Sequence, residues 1–177
     1  TIADMRGWTR FNAFQLEYSL LQRTPERDLM PMAAGMDLAV TAWAALAGGA
    51  LTGKYLKGNA EDQRLKDDSK RLNERSRRIT EEVVAVAGEI GCSPAQVALN
   101  WVRQKPQVVI PVIGARKLSQ IEDSLGCLEH PLDEEQIARL DEVSAIEMGF
   151  PHDFLDSDSV RFVTYGGTYH QIENHRS

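Results

Sequence analysis

Two stretches of this chain are apolar almost without interruption: residues 38–43, Leu-Ala-Val-Thr-Ala-Trp, and residues 108–113, Val-Val-Ile-Pro-Val-Ile. Such a run offers no polar face to water, so as a strand it needs cover on both sides, which is the habit of parallel sheets. Residues 11–18 alternate apolar and polar types, a strand period with Phe14, Leu16 and Tyr18 on one face. Between the strands the period becomes helical. Ile79, Val83, Val86, Ala87 and Ile90 recur at helix spacing before a stop at Gly91. Ser93-Pro94-Ala95-Gln96, Ser119 with Glu122, and Asp133 with Gln136 read as capping boxes, the last with a Leu132–Ile137 staple. Thr24-Pro25 predicts a further helix start, with Pro31 bending that helix and Gly35 closing it. The order β, α, β, α, α, β, α, α predicts an α/β fold, a parallel sheet under helices.

At 177 residues the chain has the length of one domain, and surface scaling gives its folded mass about 8,600 Å² of exposed area. Three strands are too few for a closed parallel barrel, which needs eight strands and about 250 residues. They also leave two bare edges. The start, Thr1-Ile2-Ala3-Asp4-Met5-Arg6-Gly7, reads like the last turns of a helix ended by glycine, with no initiator Met. The expectation is a partial (β/α)8 barrel cut from a longer chain: residues 1–147 as barrel segment, residues 148–177 as a tail with little structure of its own. The charged stretch over residues 57–78 reads as a solvated loop and helix face. With Lys+Arg 20 against Asp+Glu 26 the net charge is −6, which argues against nucleic acid and anionic membranes as partners. No apolar run reaches a membrane span and no leader is visible. Two cysteines, Cys92 and Cys127, fit no metal or disulfide spacing, so a cytoplasmic setting is the expectation.

The chemistry lies after the second and third strands. Each runs into small residues: Trp43-Ala44-Ala45-Leu46-Ala47-Gly48-Gly49 and Gly114-Ala115-Arg116-Lys117. Small residues let a ligand reach the backbone, whose N–H groups bind phosphate oxygens. A helix start at Ser119 would add its partial positive charge beside Arg116 and Lys117. These groups make a phosphate site, or equally a glycine-closed turn with two solvated bases. Neither a Walker loop nor GxGxxG occurs.

Gln15-Leu16-Glu17-Tyr18-Ser19-Leu20, the segment from Trp43 through Leu51-Thr52-Gly53-Lys54-Tyr55, and Ile110-Pro111-Val112-Ile113-Gly114-Ala115-Arg116 with Gln120-Ile121 together resemble the aldo-keto reductase family, nearest its aryl-alcohol-dehydrogenase-like branch. The resemblance covers Thr1 to about Ser144. It implies a TIM barrel of which these are strands six to eight, NADP(H) at the C-terminal rim, and reduction of a small carbonyl substrate, aldehyde or ketone. It assigns Gln15 to the nicotinamide carboxamide, Trp43 to the nicotinamide ring, and Leu46, Gly48 and Leu51 to the pyrophosphate passage, with Thr52 and Lys54 nearby. Arg116 would take the 2′-phosphate, assisted by Gln120, while Asp123 and Ser124 would face adenine. Ser124 stands where Asn is frequent, so that contact is weaker or water-mediated. Ala44 and Ala115 lack hydroxyls seen in some members, leaving binding there to backbone N–H groups. Each residue also has a bland reading: Gln15 as a barrel-interior amide, Trp43 as rim filler, the loop residues as turn formers. The family's catalytic tyrosine, lysine, aspartate and histidine belong to earlier strands. Tyr18, Lys54, His130, His152, His170 and His175 are not their equivalents, so no catalytic residue is assigned. His152 and Phe154 would at most join a substrate loop. The isolated chain is expected to be inactive, either as the cofactor-binding part of the enzyme or as an NADPH-binding regulatory module. Its bare strand edges suit self-association or a partner half-barrel.

Overall fold

The structure, a computed structural model, describes residues 1–56, 65–66 and 68–173. Helix α1 (Ile2–Arg6) ends on Gly7 in the left-handed conformation at φ 64°, as the opening residues lead one to expect, and buries no residue. Strand β1 (Ala13–Glu17) follows, then a 3-10 turn (Thr24–Arg27), α2 (Leu29–Gly35) and β2 (Ala39–Trp43). A second 3-10 segment (Ala47–Thr52) precedes the long α3 (Glu74–Ile90), α4 (Pro94–Arg103) and β3 (Val109–Pro111). The chain continues through α5 (Leu118–Leu125), a 3-10 turn (Gly126–Glu129), α6 (Glu134–Val143), α7 (His152–Asp156), α8 (Asp158–Tyr165) and a last 3-10 turn (Tyr169–Gln171).

The three strands form one parallel sheet in the order β1-β2-β3, with Gln15 opposite Thr41 and Thr41 opposite Ile110. Its ladder runs a little beyond β3, since Val40 N–H donates to Val108 O and Val112 N–H to Ala42 O. This is the parallel α/β arrangement expected of three barrel strands and their helices. Helices α3 and α4 pack on each other, and α6 packs on α3. They cover one face of the sheet, where Leu16, Val40, Ala42 and Val109 are buried with Ile79, Val83, Val86 and Trp101.

The other face is open, and this corrects the expectation that strands two and three are covered on both sides. Along β3 Val109 is buried while Ile110 is 51% exposed, and Val108, Val112 and Trp43 are exposed as well. The apolar runs are built for two covers, of which the described residues supply one. The charged segment after Leu56 falls partly outside the described residues (57–64 and 67); α3 begins at Glu74, capped by Asn73 and Ser76 bonding each other's backbone.

Three local readings also change. The helix expected from Thr24 breaks at Asp28, whose carboxylate accepts from Leu29 N–H at 2.7 Å; Pro31 thus falls in the first turn of α2, where its missing N–H costs nothing. Gly35 stays helical, and Asp37, at φ 54°, takes the left-handed exit so that Leu38 N–H reaches Ala33 O. The residues after Met148, read as a tail with little structure of its own, include α7 and α8, neither of which buries a residue.

Candidate functional site

Trp43 ends β2, and the chain then turns sharply. Ala44 (φ 55°), Ala47 (φ 49°), Gly48 (φ 70°) and Gly49 (φ 94°) all adopt positive φ, which curls the backbone into a tight crescent. At Gly48 the requirement is also spatial. A Cβ there would lie 3.0 Å from Leu65 Cδ2 and 3.3 Å from an Arg71 guanidinium nitrogen. At Gly49 it would lie 3.2 Å from Lys54 Cε. The second wall comes from the loop after β3 and the start of α5. Gln120 Oε1 accepts from Arg116 N–H at 2.9 Å and from Lys117 N–H at 3.4 Å, so the helix starts at Leu118. Ser119 and Glu122, expected as its capping pair, lie inside the helix instead. A glutamine three residues on supplied the acceptor.

Between these walls lies a cavity of about 490 Å³, a size suited to a small organic ligand. Of the residues assigned to a dinucleotide, Trp43, Ala44, Leu46, Gly48, Thr52 and Lys54 line it from the β2 side. Gly114, Arg116, Gln120, Asp123 and Ser124 line it from the β3 side. Trp43 and Arg116 therefore share one cavity. Three assigned residues do not line it. Leu51 is fully buried in the helix-side core, so its side chain is a packing element and not a passage wall. Gln15 sits on the open face of β1, and Ala115 is exposed beside the cavity.

Several lining groups are already engaged. Asp123 accepts from Ser93 Oγ at 3.1 Å and Gln96 Nε2 at 3.2 Å through its carboxylate, joining α5 to the start of α4. The hydroxyl of Ser124 donates to Gln120 O at 2.7 Å and that of Thr52 to Gly49 O at 2.8 Å. Among the described residues the charged lining is mostly basic: Lys54, Arg71, Arg116 and Lys117, with the carboxylate of Asp123. Arg71, Ala95 and the strand-end residues Val112 and Ile113 were not assigned from sequence. Arg71 lies in the charged stretch read as solvated loop, 28 residues beyond Trp43, and only the folded turn brings it alongside Gly48. Neither tyrosine nor histidine lines the cavity among the described residues. The site can hold anionic and aromatic groups side by side.

Tyr18, set aside as a catalytic acid, is nearly fully buried on the helix side and donates to Glu26 Oε1 at 2.5 Å. Burial, with Glu26 beside it, pushes the phenol far above the ordinary tyrosine range. Burial likewise raises both thiols, Cys92 further through the neighbouring Asp123 carboxylate. Among the described residues no helix is long and apolar enough to cross a membrane.

The sequence model of the Aldo/keto reductase family matches residues 1–145. The chain belongs to this family. It is 39% identical over 141 residues to an uncharacterized oxidoreductase, YrpG, of Bacillus subtilis, covering 80% of this chain and 43% of that protein. It is 30% identical over 161 residues to a probable aryl-alcohol dehydrogenase, AAD4, of Saccharomyces cerevisiae (88% of this chain, 49% of the relative). It is also 30% identical over 161 residues to the aryl-alcohol dehydrogenase [NADP(+)] of Phanerodontia chrysosporium (85% and 41%). The chain thus spans about half the length of these relatives. Family membership places the three parallel strands as part of a (β/α)8 barrel.

Proposed function

We propose that this chain is the NADPH-binding part of a carbonyl reductase of aldo-keto reductase type, acting on aldehydes or ketones and, by the names of its relatives, on aryl alcohols in reverse. The observation that carries the reading is the shared cavity of Trp43 and Arg116, with a glycine crescent and four cations between and around them. Its chemistry fits the cofactor: guanidinium and ammonium groups match phosphate oxygens, a bare glycine backbone permits their close approach, and an indole flanked by alanines suits a flat ring. When bound, NADPH supplies the hydride that such reductases deliver to a carbonyl. Trp43 would hold the nicotinamide ring at the sheet end. Arg116 would hold the 2′-phosphate that distinguishes NADPH from NADH, and Lys54 would neutralise phosphate charge near Gly49.

A second reading, a regulatory module that binds NADPH without turnover, draws on the same cavity and its cations. Both readings share a first test. Titrating NADPH against tryptophan fluorescence should quench the wild-type signal, and Trp43→Phe should remove most of that change while Trp8 and Trp101 remain. Arg116→Ala should weaken NADPH about tenfold or more while leaving NADH nearly unchanged, the scale of one charge-assisted bond. Wild-type fluorescence indifferent to millimolar NADPH would sink both readings. Turnover of an aryl aldehyde by the isolated chain would exclude the regulatory one.

A further inference from the structure

Arg71 has two neighbours far from it in sequence, Glu17 and Gly48. One guanidinium nitrogen hydrogen-bonds the carboxylate of Glu17, the last residue of β1, while the other faces the Gly48 backbone, 3.3 Å from where a Cβ would stand. Glu17 lies opposite Trp43 in the strand register, so the ion pair spans the end of the sheet beside the crescent. Its two side chains are 25% and 35% exposed, neither locked in the core nor free in solvent. A guanidinium presents a rigid planar fork, so holding one edge fixes where the other points. Arg71 lines the cavity, and its terminal nitrogen not held by Glu17 is the one beside Gly48, itself a lining residue.

We infer that Glu17 is a positioning residue for anion binding: it holds Arg71 across the end of β1 so that the guanidinium presents its free edge to a diphosphate lying along Gly48–Gly49. This rests on the cofactor reading above and goes beyond it, because Glu17 does not itself line the cavity. A carboxylate near an anion site would ordinarily repel the ligand. Here its charge is balanced within the pair. Releasing Arg71 would return a long side chain to solvent, and binding would then bear the entropy of ordering it. Positioning therefore outweighs repulsion. The Arg71–Glu17 contact also distinguishes Arg71 from Arg116, whose side chain is exposed.

The test is a double-mutant cycle read by calorimetric titration with inorganic pyrophosphate, with NADPH run in parallel. Glu17→Gln and Arg71→Met should each weaken pyrophosphate about 5- to 20-fold, the scale of one charge-assisted hydrogen bond. Combined, they should lose no more than Arg71→Met alone, because Glu17 acts through Arg71. Thermal melts of each variant establish that it is folded. Should Glu17→Gln fail that check, Glu17→Asp, which keeps the charge but withdraws it by one methylene, takes its place with the same expected direction. Losses that simply add, tighter binding on removing Glu17, or a wild-type chain that ignores pyrophosphate would each overturn the inference. A cycle that holds for pyrophosphate while NADPH shows no binding would leave the positioning role standing and remove the cofactor reading.

Discussion

Tyr18 shows how far one side chain can be read from its neighbours in sequence. Its inward place, one residue past the end of β1, follows from the alternation Phe14, Leu16, Tyr18, and the residue is indeed buried. Its hydroxyl partner is not legible, because Glu26 lies eight residues on, in a 3-10 turn that no spacing rule ties to the strand. The ring stacks on Trp101 at 5.3 Å between centroids, and the ammonium of Lys105 lies 3.7 Å from the centre of the same indole. Arg23 grips both oxygens of Glu26 at 2.9 Å, so Tyr18→Phe removes one bond without stranding the carboxylate. Urea unfolding should show a loss of about 1.5–3 kcal/mol, typical of a hydrogen bond to a charged group. The pH dependence has a definite sign. The folded phenol is raised above its unfolded value, near 10, so its contribution is complete below about pH 10 and is lost as pH rises beyond it. Lys105 runs the other way: burial lowers its pKa, and its contribution fades as pH falls through the lowered value. Because both proteins keep Lys105, the wild-type and Tyr18→Phe curves should differ by a gap that narrows above pH 10. A gap of constant width would exclude the titration of Tyr18.

At the scale of elements, helix starts and stops were legible where the residue that signals them also performs the bond. Ser93 with Gln96 and Asp133 with Gln136 cap α4 and α6 as their spacing indicates. The start of α5 was misread because Ser119 looks like a cap, whereas the working acceptor is Gln120 reaching back past Lys117. The crescent after β2 was legible as glycine-rich, yet its left-handed alanines, Ala44 and Ala47, were not, since alanine carries no such preference. Two glycine substitutions separate conformation from space. Gly88 lies within α3 with nothing within 4 Å of where its Cβ would go. Gly88→Ala should therefore raise stability by about 0.5–1 kcal/mol, the helix penalty of glycine relieved. Gly48→Ala meets both a positive φ and the Leu65 and Arg71 side chains. It should cost about 1–2 kcal/mol for the backbone alone and weaken pyrophosphate by displacing Arg71. Chemical denaturation of the two variants beside wild type measures both shifts, and a neutral Gly48→Ala would mean the crescent is not held as described.

For the whole molecule the decisive quantity is uncovered surface. The chain exposes 12,027 Å², about 3,400 Å² more than surface scaling gives a compact protein of this mass. Part of that excess is the sheet face bearing Val108, Ile110 and Val112, with a bare edge at β1 and another at β3. The apolar strand runs foretold a doubly covered sheet; that the described residues cover one face alone was not legible in them, since side-chain periodicity records a residue's fitness for burial and not which segment provides the cover. An uncovered apolar face of parallel strands is a ready surface for association. Sedimentation velocity should accordingly show mass rising with concentration above the 19.8 kDa of one chain. Paired Val108→Lys and Ile110→Lys substitutions should return it to a monomer. Both side chains are already half or more exposed, so stability should change by no more than about 0.5 kcal/mol, the range of ordinary surface substitutions. That pairing of outcomes separates an interface from a core: a large loss of stability would mean that the face is covered within a single chain, whereas lost association at unchanged stability would locate the missing cover in another polypeptide.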